Sequence, residues 1–191
     1  MNDPDSRATE SYRRAGFTVA ILTGPVRTGK TTALSAWVGR TRGRGLNVSG
    51  ILAPVRDGVR HLCSIATGVC HELDVPQGRE RPRAADVVRI GPHVFKGSVF
   101  AWARDELDTA ARAVRTRAAA WLVVDEVGPL ELRGDGLEPS LGRAVRELWG
   151  AGTPGEATGT AGRREEQRAP GGGLLLVVRD RLVDRVIEHY S

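Results

Sequence analysis

The chain is predicted to form an α/β fold, a mainly parallel sheet flanked by helices. Three observations predict it. Residues 17–22 (FTVAIL), 119–124 (AAWLVV) and 174–178 (LLLVV) are short apolar runs without polar alternation, as in strands buried on both faces. Stretches with apolar residues at helical spacing alternate with these runs, the pattern of strands and crossover helices. A glycine-bounded segment, residues 24–31 (GPVRTGKT), links the first run to a helix-compatible one.

Element by element, residues 1–16 read as a polar tail without the apolar stretch of an export signal, so cytoplasmic residence is expected. A domain over 17–191 follows. Its first strand, 17–22, leads to a helix over 29–40 that Gly43-Arg44-Gly45 ends. A second strand lies within 47–54, and Asp57-Gly58 marks a turn. Residues 59–66 and 69–75 flank Thr67-Gly68 and read as an inserted β-hairpin. Residues 76–83, rich in proline and charge, read as a surface loop, and 87–95 as one more short strand. Ser98 is expected to cap a helix to about residue 117, with Val99, Trp102, Ala103, Leu107, Ala110 and Val114 facing the core. Pro139-Ser140 opens another helix, with Leu141, Ala144, Val145, Leu148 and Trp149 on one side. Residues 152–173 are rich in glycine and charge and nearly devoid of large apolar side chains, and so are expected to be a disordered insertion. After the strand 174–178, Asp180 caps a last helix carrying Leu182, Val183, Val186, Ile187 and Tyr190. Right-handed crossovers would bring the ends of the 17–22 and 119–124 strands to one edge of the sheet.

Composition narrows the function. The chain has 191 residues, 40% of them apolar, enough for one domain with a sizeable core. No apolar run approaches the roughly 20 residues that span a bilayer. Net charge is +5 and aromatics are 5%. No Lys/Arg block with interleaved aromatics is present, so nucleic acid is not expected as a partner. Cys63 and Cys70 make no disulfide framework, and His61, Cys63, Cys70 and His71 do not follow a standard zinc spacing. Buried or strand-face thiols are the expectation.

Residues 24–31 match G-x-x-x-x-G-K-[ST] in full, between a strand and a helix. Backbone N–H groups of such a loop wrap a polyphosphate, and the helix N-terminus adds partial positive charge. The expected phosphate contacts are Gly24, Pro25, Val26, Arg27, Thr28, Gly29, Lys30, Thr31 and Thr32. Lys30 would reach the β- and γ-phosphates, and Thr31 would offer its hydroxyl to Mg²⁺. Only Lys30 and Lys96 are lysines in an arginine-rich chain, so lysine is used where a compact charge on a flexible stem is needed. The run 119–124 ends in Asp125-Glu126. With a phosphate loop upstream, Asp125 is expected to serve the metal and Glu126 to activate water.

Asp125-Glu126 opens D-E-V-G-P-L-E-L, residues 125–132. Together with GPVRTGKTT, the S-G-I-L-A strand leading to Asp57-Gly58, and G-P-H-V-F at 91–95, this string resembles the thermophile-type nucleoside-triphosphatases, also called cancer-related nucleoside-triphosphatases. The resemblance runs over about residues 17–190, less 152–173. It implies a P-loop fold of the catalytic-glutamate division. It also implies Mg²⁺-dependent hydrolysis of ATP, GTP and other nucleoside triphosphates to diphosphate and phosphate, with loose base preference. Glu131 matches the family string and either holds the loop behind the metal or pairs with Arg133. Arg27 stands where many such loops carry a small residue, as a γ-phosphate clamp with a catalytic part or as a solvent-facing side chain. Arg179 senses charge at the sheet edge or pairs with Asp180 or Asp184. Two alternatives stay open: a nucleotide or small-molecule kinase, and a nucleotide-gated switch that takes a protein partner through residues 152–173.

Overall fold

The computed structural model describes residues 9–14, 17–25, 28–75, 86–149 and 172–190. Its centre is a parallel array of β2 (Phe17–Gly24), β10 (Gly173–Arg179), β9 (Trp121–Val127) and β3 (Val48–Leu52), in that spatial order. Antiparallel strands extend both sides. β1 (Thr9–Arg14) pairs with β2, while β5 (Val59–Ser64) pairs with β3, β4 (Val55–Arg56) and β6 (Cys70–Glu72). The sheet is thus mostly parallel at its core, as the sequence predicts.

Alternate residues of the central strands feed two cores, which is why these strands read as unbroken apolar runs. Leu122, Val124, Leu174, Leu176 and Val178 pack with α2 (Gly97–Arg115), α3 (Ser140–Trp149) and α4 (Val183–Tyr190). Val123, Leu175 and Val177 pack on the other face, against Leu34 and Val38 of α1 (Lys30–Gly43). Gly50 lies where β3 crosses close to β9. Its φ is 127°, and a Cβ there would stand 1.9 Å from the Val123 carbonyl oxygen. No helix among the described residues is long and apolar enough to cross a membrane.

Several local expectations need correction. Thr9–Arg14, expected within a polar tail, forms β1. The open backbone edge of β2 accepts a strand through main-chain bonds, which no apolar pattern has to announce. Residues 87–95 are not one strand but part of a hairpin, β7 (Val87–Ile90) and β8 (His93–Lys96), turning at Gly91-Pro92. α2 starts at Gly97 with Lys96 as its N-cap, two residues ahead of the expected cap Ser98. Cys63 and Cys70 are bonded to each other rather than free. They face each other across the β5–β6 register with Cα atoms 4.1 Å apart, a pairing set by the turn. The surface loop expected over 76–83 lies outside the described residues, as does the insertion expected over 152–173 apart from Gly172 and Gly173, the latter opening β10.

Candidate active site

The carboxyl ends of β2, β10 and β9 meet at one edge, where Gly24 pairs with Arg179 and Val178 with Val127. A cleft of about 910 Å³ opens there, lined by Lys30, Thr31, Asp125, Glu126 and Arg179 among others.

On one side lies the phosphate loop. Gly29 caps α1 with φ 77° and ψ 23°, a left-handed geometry that suits glycine. α1 has no side-chain cap and no acidic residue in its first turn, so its leading N–H groups and positive dipole end are free to receive an anion. Lys30 curls over the loop, its Nζ donating to the carbonyl oxygens of Gly24 (2.7 Å) and Pro25 (2.5 Å). Thr28 Oγ1 donates to the Pro25 carbonyl at 2.9 Å. Thr32 is exposed on the cleft wall. Val26 and Arg27 lie outside the described residues.

The acidic pair faces this loop. Regular alternation would send Asp125 and Glu126 to opposite faces of the sheet, yet both line the cleft. A β-bulge explains it. β10 advances two residues, Leu176 to Val178, while β9 advances three, Val124 to Val127, and such an extra residue re-aims side chains. Glu126 takes up the irregularity with φ 69°.

Asp125 is 2% exposed. Its Oδ2 accepts from the Ala53 N–H at 3.1 Å, and Thr31 lines the same cleft beside it. Burial pushes its carboxyl up from 3.8 to about 6, opposed by the Ala53 N–H, the neighbouring Thr31 hydroxyl and the charge of Lys30, while Glu126 adds to the rise. A desolvated carboxylate beside a hydroxyl is a hard oxygen donor set that suits Mg²⁺, which retains waters and substrate oxygens rather than needing an all-protein cage. Among the described residues no group of three or more His, Cys, Asp and Glu forms such a cage.

Glu126 carries two arginines. Its Oε1 accepts from Arg179 Nη2 at 2.8 Å, and its Oε2 lies 3.6 Å from Arg60 Nε. Arg179 therefore turns to Glu126 rather than to Asp180 or Asp184. Arg60, on β5, had no sequence signal: one arginine in a mixed polar and apolar strand reads as a solvated side chain. Glu131, 4% exposed, braces the loop after β9 by accepting from the N–H groups of Gly128 (2.9 Å) and Leu137 (3.2 Å). Burial lifts its carboxyl from 4.5 to about 7, the backbone donors opposing and Glu126 adding to the rise.

A family model described as NTPase matches residues 19–148, more than half of the 191-residue chain. Comparison with curated proteins and with solved structures found no match.

Proposed function

Because the chain belongs to the NTPase family of the P-loop superfamily, we propose that it hydrolyses nucleoside 5′-triphosphates to diphosphate and phosphate, dependent on Mg²⁺ and with broad base preference. The observation that carries this reading is the meeting of Lys30 and Thr31 with Asp125 and Glu126 in one cleft. It joins the two sequence motifs at the point where a triphosphate and its metal would sit.

Lys30 and the N–H groups opening α1 hold the β- and γ-phosphates. Lys30 must exchange its carbonyl partners Gly24 and Pro25 for phosphate oxygens, a charge-assisted gain. Thr31 and Asp125 would hold Mg²⁺, which when bound would neutralise charge on the triphosphate. Glu126 orients a water and takes its proton as the new O–P bond forms. The bond from the γ-phosphorus to the β,γ-bridging oxygen breaks, and the diphosphate leaves. Glu131 keeps the loop behind β9 in place through its two backbone contacts. The cleft lining also includes Pro54, Val55, Val59, Pro92 and Val94, which offer contact area but few side-chain hydrogen-bonding groups, in keeping with loose base selection.

The test is phosphate release over the common ribo- and deoxyribonucleoside triphosphates, with and without Mg²⁺. Lys30→Ala is expected to abolish turnover. Glu126→Gln is expected to lower it by about 10²–10⁴-fold while nucleotide binding persists. Undiminished turnover in Glu126→Gln removes that residue as the base. A second reading, transfer to a hydroxyl acceptor, is favoured by one feature. A recess of about 250 Å³ shares Asp125, Glu126 and Arg179 with the cleft and adds Phe95, Phe100 and Leu130, room for an acceptor other than water. Label moving from γ-labelled nucleotide to an added nucleoside faster than to water would select it.

A further inference from the structure

We propose that Arg60 is a catalytic residue that donates to the γ-phosphate of the bound triphosphate, an arginine finger supplied from within the chain. The inference rests on the hydrolysis reading above and adds to it the group that stabilises the transferring phosphoryl.

The first observation is an unmet donor. Arg60 Nε is buried and has no hydrogen-bond partner among the described residues. Its nearest anion, Glu126 Oε2, stands 3.6 Å away, beyond hydrogen-bond range. Buried polar atoms are rarely left so, and a buried charged donor without an acceptor is costly. An acceptor brought by the substrate accounts for it. Arg179, by comparison, already makes a 2.8 Å bond to the same carboxylate and has no such deficit.

The second observation is how firmly Arg60 is set. Its backbone N–H donates to Asp74 Oδ2 at 2.6 Å. Its guanidinium lies 5.4 Å from the centre of the Phe95 ring, a cation–π distance, and Phe95 is itself buried at 2% exposure. Asp74 and Phe95 are bridged to each other, so one anchored unit fixes both the backbone and the head of Arg60. The side chain is 23% exposed and lines the cleft that holds Lys30, Thr31 and Asp125. It is preorganised, part-desolvated and aimed at the reaction space, the conditions under which a cation stabilises developing charge.

The third is the state of Glu126. Arg179 holds its Oε1 at 2.8 Å, so the carboxylate stays oriented without a hydrogen bond from Arg60, whose Nε stands 3.6 Å from Oε2 and is left to serve a phosphate oxygen.

The experiment compares the full chain with Arg60→Ala and Arg60→Lys. Steady-state phosphate release from Mg·ATP gives kcat and KM. Titrations with ADP alone, and with ADP plus aluminium fluoride as a mimic of the transferring phosphoryl, give affinities that do not depend on turnover. In Arg60→Ala, kcat is expected to fall at least 10²-fold, below the 10³–10⁵ that an arginine finger can contribute, with ADP affinity changed less than about threefold. The tightening that fluoride gives the unaltered chain is expected to vanish. Arg60→Lys, which keeps charge without the planar fork, is expected to recover little, and added guanidinium to restore part of the lost kcat in Arg60→Ala. The proposal is overturned if Arg60→Ala keeps kcat within threefold and retains the fluoride effect. It is also overturned if ADP affinity and melting temperature fall in step with kcat in both variants, the mark of a merely structural role. If the unaltered chain releases no phosphate, the hydrolysis reading fails, and the fluoride titration still decides Arg60.

Discussion

Replacing Asp125 by asparagine is expected to stabilise the metal-free protein at neutral and alkaline pH while abolishing its response to magnesium nucleotide. Asp125 is 2% exposed, and burial raises its carboxyl from 3.8 to about 6. The folded chain therefore binds a proton more readily than the unfolded chain between those two values. Its contribution to stability is full below pH 3.8, is lost as pH rises through 6, and stays lost above. At 1.36 kcal/mol for each tenfold change, that interval corresponds to about 3 kcal/mol. Asparagine has the same shape and keeps an oxygen for the Ala53 N–H, so that contact survives without the charge. Its own amide desolvation removes part of the gain, leaving an expected stabilisation of about 1–3 kcal/mol, or about 2–12 °C in Tm for a chain of this size. Urea titrations in EDTA at pH 5 and pH 8 measure it. The advantage of Asp125→Asn should be about 1.4 kcal/mol smaller at pH 5 than at pH 8. Adding Mg²⁺ with a non-hydrolysable nucleotide should then stabilise the unaltered chain alone. A variant less stable than the parent at pH 8, or a difference that ignores pH, refutes the reasoning.

Two further substitutions probe the supports of the site. Gly50→Ala places a methyl 1.9 Å from the Val123 carbonyl oxygen at a backbone φ of 127°. It should force β3 off β9 and cost at least about 3 kcal/mol, which a thermal melt would show as a drop of roughly 6 °C or more; an unchanged melt contradicts the close approach. In Glu131→Gln the amide nitrogen meets one of two backbone donors, Gly128 or Leu137, and the variant should be about 1–3 kcal/mol less stable than the parent at pH 5. The parent carboxyl, raised from 4.5 to about 7, gives up its own contribution as pH rises through 7, so the gap should narrow by about 3 kcal/mol by pH 8.5. Denaturant midpoints at the two pH values test it, and a pH-independent gap counts against a buried, protonatable Glu131.

Much of this architecture was legible because its signals are local. The runs at β2, β9 and β10 announce strands covered on both faces, and Asp57-Gly58 turns β4 into β5 as its dipeptide predicts, with φ 50° and 79°. The loop from Gly24 to Thr31 declared its chemistry by spacing alone. What stayed hidden depends on distant register. β1 exists because β2 had an edge to fill. The Cys63–Cys70 bond follows from which residues a tight turn sets opposite each other. Arg60 gained its meaning only when Glu126, Asp74 and Phe95 were brought beside it, and no window along the chain contains all four. Glu131 lay between two readings until Gly128 and Leu137 closed over it.

The irregular pairing in β9 also governs how this stretch tolerates insertions and deletions. The two residues between Val124 and Val127 are Asp125 and Glu126, set against Val177 alone on β10. Removing either would restore even pairing while Val127 stayed opposite Val178, so Gly128, Pro129 and Glu131 would keep their side of the sheet. Length is thus as strictly dictated here as identity: a chain shortened at this point should keep its fold, hold a single acid on one face and lose its catalysis.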